Sequence, residues 1–80
     1  MGKRKDWIFF SYRKKSKSGK TNIWRVLDAD SYVLAEVRWY SPWRRYALYP
    51  ETGTVWEQNC LETAASFCRT QTQKHRAGTR

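Results

Sequence analysis

Two groups of residues in this chain carry side chains that could do binding chemistry. The first is Trp39-Tyr40-Ser41-Pro42-Trp43-Arg44-Arg45-Tyr46-Ala47-Leu48-Tyr49-Pro50, where aromatic rings surround two adjacent arginines. Aromatic faces stack on bases, and guanidinium groups pair with phosphates or base edges. The second is the basic set Lys3, Arg4, Lys5, Arg13, Lys14, Lys15, Lys17 and Lys20, opposed within residues 1–20 by Asp6 alone. Such a run supplies phosphate contacts whose affinity falls with salt. It is equally the composition of a solvated loop or tail, so its chemistry depends on what positions it.

Catalytic chemistry finds few candidates. His75 is the single histidine and lies among basic residues. No Cys/His cluster has metal-ligand spacing, and no glycine-rich phosphate loop is present. Asp28 and Asp30 share one turn, where they act as turn formers rather than as metal ligands. Cys60 and Cys68 would stand about 12 Å apart along a helix, too far for a bridge within it. They read as free, small, buried hydrophobes. The chain is therefore expected to be non-enzymatic, without a cofactor or a metal.

The elements that must position these residues follow from length and patterning. Eighty residues support one small domain, and a core this small leans on its aromatic side chains. The net charge of +9 is uneven. Residues 21–68 carry four arginines against six carboxylates, whereas both ends are basic, with Arg69, Lys74, Arg76 and Arg80 following the middle. That pattern suits a folded module with basic arms. No apolar run is long enough to span a membrane, and Trp7-Ile8-Phe9-Phe10 is too short for a signal peptide, so the chain reads as intracellular.

Residues 1–5 are expected to be a disordered basic tail. Residues 6–12 read as a strand, and residues 13–20 as a basic loop closed by Gly19. If the next strand begins near Thr21, the two make a hairpin with a lysine-rich tip; otherwise residues 1–20 are all flexible. Ile23 to Leu27 is a strand by composition, and residues 28–31 a turn. Over residues 33–40, Val33, Ala35, Val37 and Trp39 alternate with Leu34, Glu36, Arg38 and Tyr40, and the first set marks the core face. Ser41-Pro42 turns the chain into a strand over residues 43–49, which Pro50 ends. A strand or extended segment at residues 54–56 follows.

Asn59 and Glu62 form a capping-box pattern for a helix over about residues 60–73. Its apolar stripe is Leu61, Ala64, Ala65, Phe67 and Cys68. Residues 74–80 are expected to be a second disordered basic tail. The fold class is thus α+β: an antiparallel meander of three to four strands packed against one C-terminal helix, spanning residues 6–73.

In this frame Trp24, Trp39 and Trp56 belong to the core. Arg38, Tyr40, Arg45 and Tyr46 lie on or near an exposed sheet face. Arg44 and Arg45, adjacent in a strand, point to opposite faces. An exposed edge strand could pair with a second copy.

The segment Leu34 to Pro50, followed by Thr54-Val55-Trp56 and Cys60-Leu61-Glu62, resembles a pattern found in small uncharacterised bacteriophage and prophage proteins. Its core is Trp-Tyr-x-Pro-Trp-Arg-x-Tyr, and the likeness covers about residues 32–68. The resemblance implies a setting in the bacterial host cytoplasm, where such proteins bind DNA, RNA or a host protein. The expected architecture is also similar to the plant ethylene-response DNA-binding domain and the arm-binding domain of tyrosine recombinases, an analogy of fold alone.

The leading expectation is a non-enzymatic nucleic-acid-binding module. Lys3, Arg4, Lys5, Arg13, Lys14, Lys15, Lys17 and Lys20 would supply backbone affinity, and Arg38, Arg44, Arg45 and Tyr46 contacts from the sheet. The alternative is a phage-encoded modulator that binds an acidic host protein through the same surface.

Overall fold

The computed structural model of the chain describes residues 8–78. These form four strands and one helix, an α+β fold: β1 (Phe9–Lys15), β2 (Asn22–Leu27), β3 (Val33–Tyr40), β4 (Arg45–Pro50) and α1 (Gln58–Gly78). The strands make one open antiparallel sheet in chain order. The tail expected at residues 1–5, the start of the first strand at Asp6 and Trp7, and residues 79–80 lie outside the described residues.

The first hairpin is structured, and its strands are longer than their apolar residues suggest. β1 continues through Arg13, Lys14 and Lys15, which were expected in a loop. Backbone pairing with β2 carries it that far: Lys14 stands opposite Ile23 and Lys15 opposite Asn22. Only residues 16–21 form the connection. Ser16 closes it, donating its N–H to the Thr21 carbonyl at 2.9 Å and accepting that of Gly19 at 2.9 Å. Gly19 takes φ +76°, a region glycine enters without steric cost. The next turn is closed by Asp28, whose Oδ1 accepts the N–H groups of Asp30 at 2.8 Å and Tyr32 at 3.0 Å.

β3 runs over the residues its alternation predicts, and Ala35 and Val37 are fully buried. The corner after it differs from expectation. Ser41–Trp43 is a short 3₁₀ turn with Pro42 at its start, and Arg44 adopts a left-handed conformation at φ 54°, ψ 49°. Trp43 and Arg44 therefore lie outside β4, and two adjacent strand arginines do not arise. Residues 54–56 form no strand; Thr54 Oγ1 donates to the Glu51 carbonyl at 2.8 Å and accepts the Trp56 indole N–H at 3.0 Å.

α1 begins two residues earlier and ends five residues later than its sequence pattern suggests. Glu57, not Asn59, caps it. Its carboxylate accepts the N–H groups of Asn59 at 2.9 Å and Cys60 at 3.1 Å, satisfying two donors that a helix start leaves orphaned. The last turns contradict the disordered tail expected from residue 74. His75 meets Trp39 at a tilt with centroids 4.5 Å apart, and Arg76 Nη2 donates to the Arg44 carbonyl at 3.1 Å. These tertiary contacts leave no apolar stripe to read.

The buried face of α1 is also rotated from the expected one. Leu61 is 52% exposed and Ala65 is exposed, while Ala64, Phe67, Cys68 and Thr72 face the sheet. Phe67 stacks on Phe10 at 4.0 Å and meets Trp24 edge-on at 5.1 Å. Trp24 in turn meets Tyr46 at 5.4 Å, and Tyr46 meets Trp39 at 5.3 Å. Such pairs contribute about 0.5–1.5 kcal/mol each beyond the area they bury. They surround the aliphatic centre of Val26, Ala35 and Val37.

Thr72 joins helix to sheet. Its Oγ1 accepts the Tyr46 N–H at 3.0 Å and donates to the Cys68 carbonyl at 2.8 Å, with the residue 8% exposed. Tyr46 belongs to the edge strand β4, so Thr72 satisfies a donor that no neighbouring strand reaches. Thr72→Val keeps the shape but strands that buried N–H. It should cost about 1–3 kcal/mol in chemical denaturation, and Thr72→Ser should retain most of the stability.

Glu57 gives a pH signature. The N–H groups of Asn59 and then Cys60 hold its carboxyl below the usual carboxylate range. A lowered folded pKa stabilises above the unfolded value of about 4.3, and that contribution is lost as pH falls through the folded value. Glu57→Ala should lower the melting temperature at neutral pH, with the difference from the parent closing in strong acid.

Candidate nucleic-acid interface

Strand alternation and register give the sheet two unlike faces. Phe10, Trp24, Val26, Ala35, Val37, Trp39, Tyr46 and Leu48 lie toward the helix. The intervening residues form the face that α1 does not cover. Ser11, Arg25, Glu36 and Tyr49 stand in register across all four strands there. A bulge between Tyr12 and Lys14 changes the spacing on β1, so two residues oppose one on β2. Its effect is to bring Arg13 and Lys14 together on the open side, Lys14 opposite Ile23 and Arg13 within reach of Glu36.

Glu36 organises the arginines. Arg13 Nη1 lies 3.7 Å from its Oε2 and Arg38 Nε 3.9 Å from its Oε1, while Arg25 stands opposite it in register. One carboxylate among three guanidinium groups leaves the cluster with two net positive charges. Arg13 and Arg38 keep 34% and 47% of their side chains exposed. The Arg38 guanidinium also lies over the Tyr49 ring at 4.5 Å, a cation–π contact that holds it flat on the sheet. Pairs this exposed add little stability, but they limit where the groups point.

A groove of about 570 Å³ runs along this face, lined by Arg13, Lys14, Lys15, Lys17, Arg38 and Tyr49 over Ile23. Ile23 is 7% exposed although no helix covers it. A second cleft of about 710 Å³ lies at the same end, between the β1–β2 tip and the last turn of α1, where Lys17, Lys20, Lys74, Trp39, His75 and Ser41 surround it. The two share Ser16, Lys17, Thr21 and Trp39, so the basic surface continues around the tip. Among the described residues no carboxylate lines either.

The expected site residues divide accordingly. Arg13, Lys14 and Arg38 gather on the open face, and Lys15, Lys17 and Lys20 continue it to the tip. Arg44 lines a small hollow with Trp39, His75 and Arg76, and Arg45 lines the crevice between β4 and α1 beside Arg69. Neither joins the groove. Tyr46, expected on an exposed face, is 5% exposed within the core, where its hydroxyl accepts the Asn22 N–H at 3.1 Å. Lys3, Arg4 and Lys5 lie outside the described residues. Arg25 and Lys74 belong to the basic surface without having been expected there. Arg25 was legible, since it sits between the inward-facing Trp24 and Val26.

Both cysteines are free and half-buried. Burial pushes the Cys60 thiol up, reinforced by Glu57, and burial alone raises Cys68. Neither is poised as a thiolate nucleophile. Among the described residues no three His, Cys, Asp or Glu side chains converge as metal ligands, and no helix is long and apolar enough to cross a membrane.

No protein family, curated protein or solved structure matches the chain.

Proposed function

We propose that this chain is a non-enzymatic nucleic-acid-binding module that engages phosphates with the open face of its sheet and the β1–β2 tip. The observation that carries this reading is the continuity of the basic surface. Arg13, Lys14, Arg25 and Arg38 project from three strands on the side opposite the helix, and Lys15, Lys17, Lys20 and Lys74 extend it around one end. Groups fixed on strands lose less freedom on binding than groups on a flexible arm. Lys3, Arg4 and Lys5, ahead of β1, would add further phosphate contacts. Arg44 lies in the corner before β4 and Arg45 at the crevice between β4 and α1, and neither is assigned to this surface.

Read as a bacteriophage or prophage pattern, the Trp-Tyr-x-Pro-Trp-Arg-x-Tyr segment would make this a phage- or prophage-encoded role in a bacterial cytoplasm. An acidic host protein could meet the same surface, and the test below separates the two partners.

Duplex DNA, single-stranded DNA and RNA should each be titrated at two salt concentrations. With five phosphate contacts, log K should fall against log salt with a slope of about −4.5 on duplex DNA. Arg13→Ala and Lys14→Ala should each weaken binding and reduce the slope by about one. If no nucleic acid binds below about 10 µM at low salt, this reading fails. A nuclease-insensitive acidic partner recovered from bacterial lysate would then favour the host-protein alternative.

A further inference from the structure

Among the described residues, Trp43 is the largest side chain that the fold leaves in solvent, at 65% exposed. A protein this short gains much from each buried ring, so a tryptophan held outside the core stands out. Its position is rigid. Pro42 opens the 3₁₀ turn that carries it, and Arg44 closes that turn in a left-handed conformation costly for a non-glycine residue. The corner is tied on every side. The Arg44 N–H donates to the Ser41 carbonyl at 3.0 Å, Arg45 Nε donates to the Trp43 carbonyl at 3.2 Å, and Arg76 holds the Arg44 carbonyl.

The ring does not stand alone. Trp43 meets Tyr40 nearly perpendicular with centroids 4.9 Å apart, Tyr40 meets Tyr49 at 6.4 Å, and Arg38 lies over Tyr49 at 4.5 Å. Tyr49 and Arg38 are also walls of the basic groove. A row of π faces thus leads out of the phosphate-binding groove and ends on an exposed indole.

We infer that Trp43, backed by Tyr40, is a stacking platform for an unpaired base of a single-stranded nucleic acid whose backbone lies in the Arg13–Lys14–Arg38 groove. Charge selects the occupant, because the approach to the platform is cationic. Shape selects the strand state: bases inside a duplex already stack on each other, whereas an unpaired base has free faces for an aromatic ring. Stacking tolerates any base, so the site adds affinity for single strands without adding sequence preference. This inference rests on the nucleic-acid reading and goes beyond it by naming the strand state and the residue that senses it.

The test uses the full chain and three probes: oligothymidylate of about 16 nucleotides, the upper end of an ordinary single-strand site, the same backbone made abasic, and a blunt duplex of equal length. Trp43→Ala should weaken oligothymidylate binding roughly five- to 150-fold, the range of one lost stacking contact. Trp43→Phe should lose far less. Binding of the abasic chain and the duplex should not change, and the salt slope on oligothymidylate should hold, because the phosphate contacts remain. The melting temperature is the control for folding, since Trp43 is outside the buried core. Equal losses on all three probes, or no loss on oligothymidylate while the parent binds it, would overturn the stacking site and leave the groove standing. Failure of the parent chain to bind any probe would sink the nucleic-acid reading and this inference with it.

Discussion

A single helix can cover only one face of a sheet, and this chain has a single helix among its described residues. Four strands spaced about 4.8 Å apart span about 14 Å, little more than the 10–12 Å diameter of a helix with its side chains. One helix is therefore enough to close one face and can do nothing for the other. The aromatic residues concentrate where closure is possible: Phe10, Trp24, Trp39, Tyr46 and Phe67 interlock beneath α1. The opposite face must remain compatible with water. It does so with long cationic side chains, and a function for this protein begins with that necessity.

Solvation alone would be satisfied by lysines scattered with carboxylates. The open face is built differently. The bulge in β1 sets Arg13 and Lys14 side by side, Glu36 pairs with both Arg13 and Arg38, and Tyr49 supports Arg38 from beneath. Each device restricts a flexible cation while leaving it exposed. Pre-organised positive charge of this kind favours an extended polyanion over isolated counter-ions, because many contacts form without ordering each side chain anew.

The sequence exposed this plan unevenly, and the reasons are physical. β3 was legible to the residue because a half-buried strand carries a period of two, and Val33 to Tyr40 keeps it throughout. The basic end of β1 was not, because its residues pair through the backbone, which leaves no trace in side-chain hydropathy. The helix face was misjudged for a related reason: Thr72 is polar yet turns inward to hold the Tyr46 N–H, while Leu61 is apolar yet turns outward. Tyr46 was assigned to the surface because its hydroxyl tolerates water, but here that hydroxyl accepts from Asn22 inside the fold. Arg44 broke the remaining inference. Its left-handed conformation ends the turn, so β4 starts at Arg45 rather than at residue 43 and Trp43 stays in the corner, exposed.

The central claim is that the helix-free face, and not the helix, receives a polyanionic strand. Amide chemical-shift mapping during titration with a single-stranded oligonucleotide tests it most directly. The shifts should concentrate at Arg13, Lys14, Arg25, Arg38 and the 16–21 turn, and reach Trp43, while Leu61, Ala65 and Arg69, exposed on α1, stay still. Shifts centred on α1, or none at an oligonucleotide excess under low salt, would contradict it.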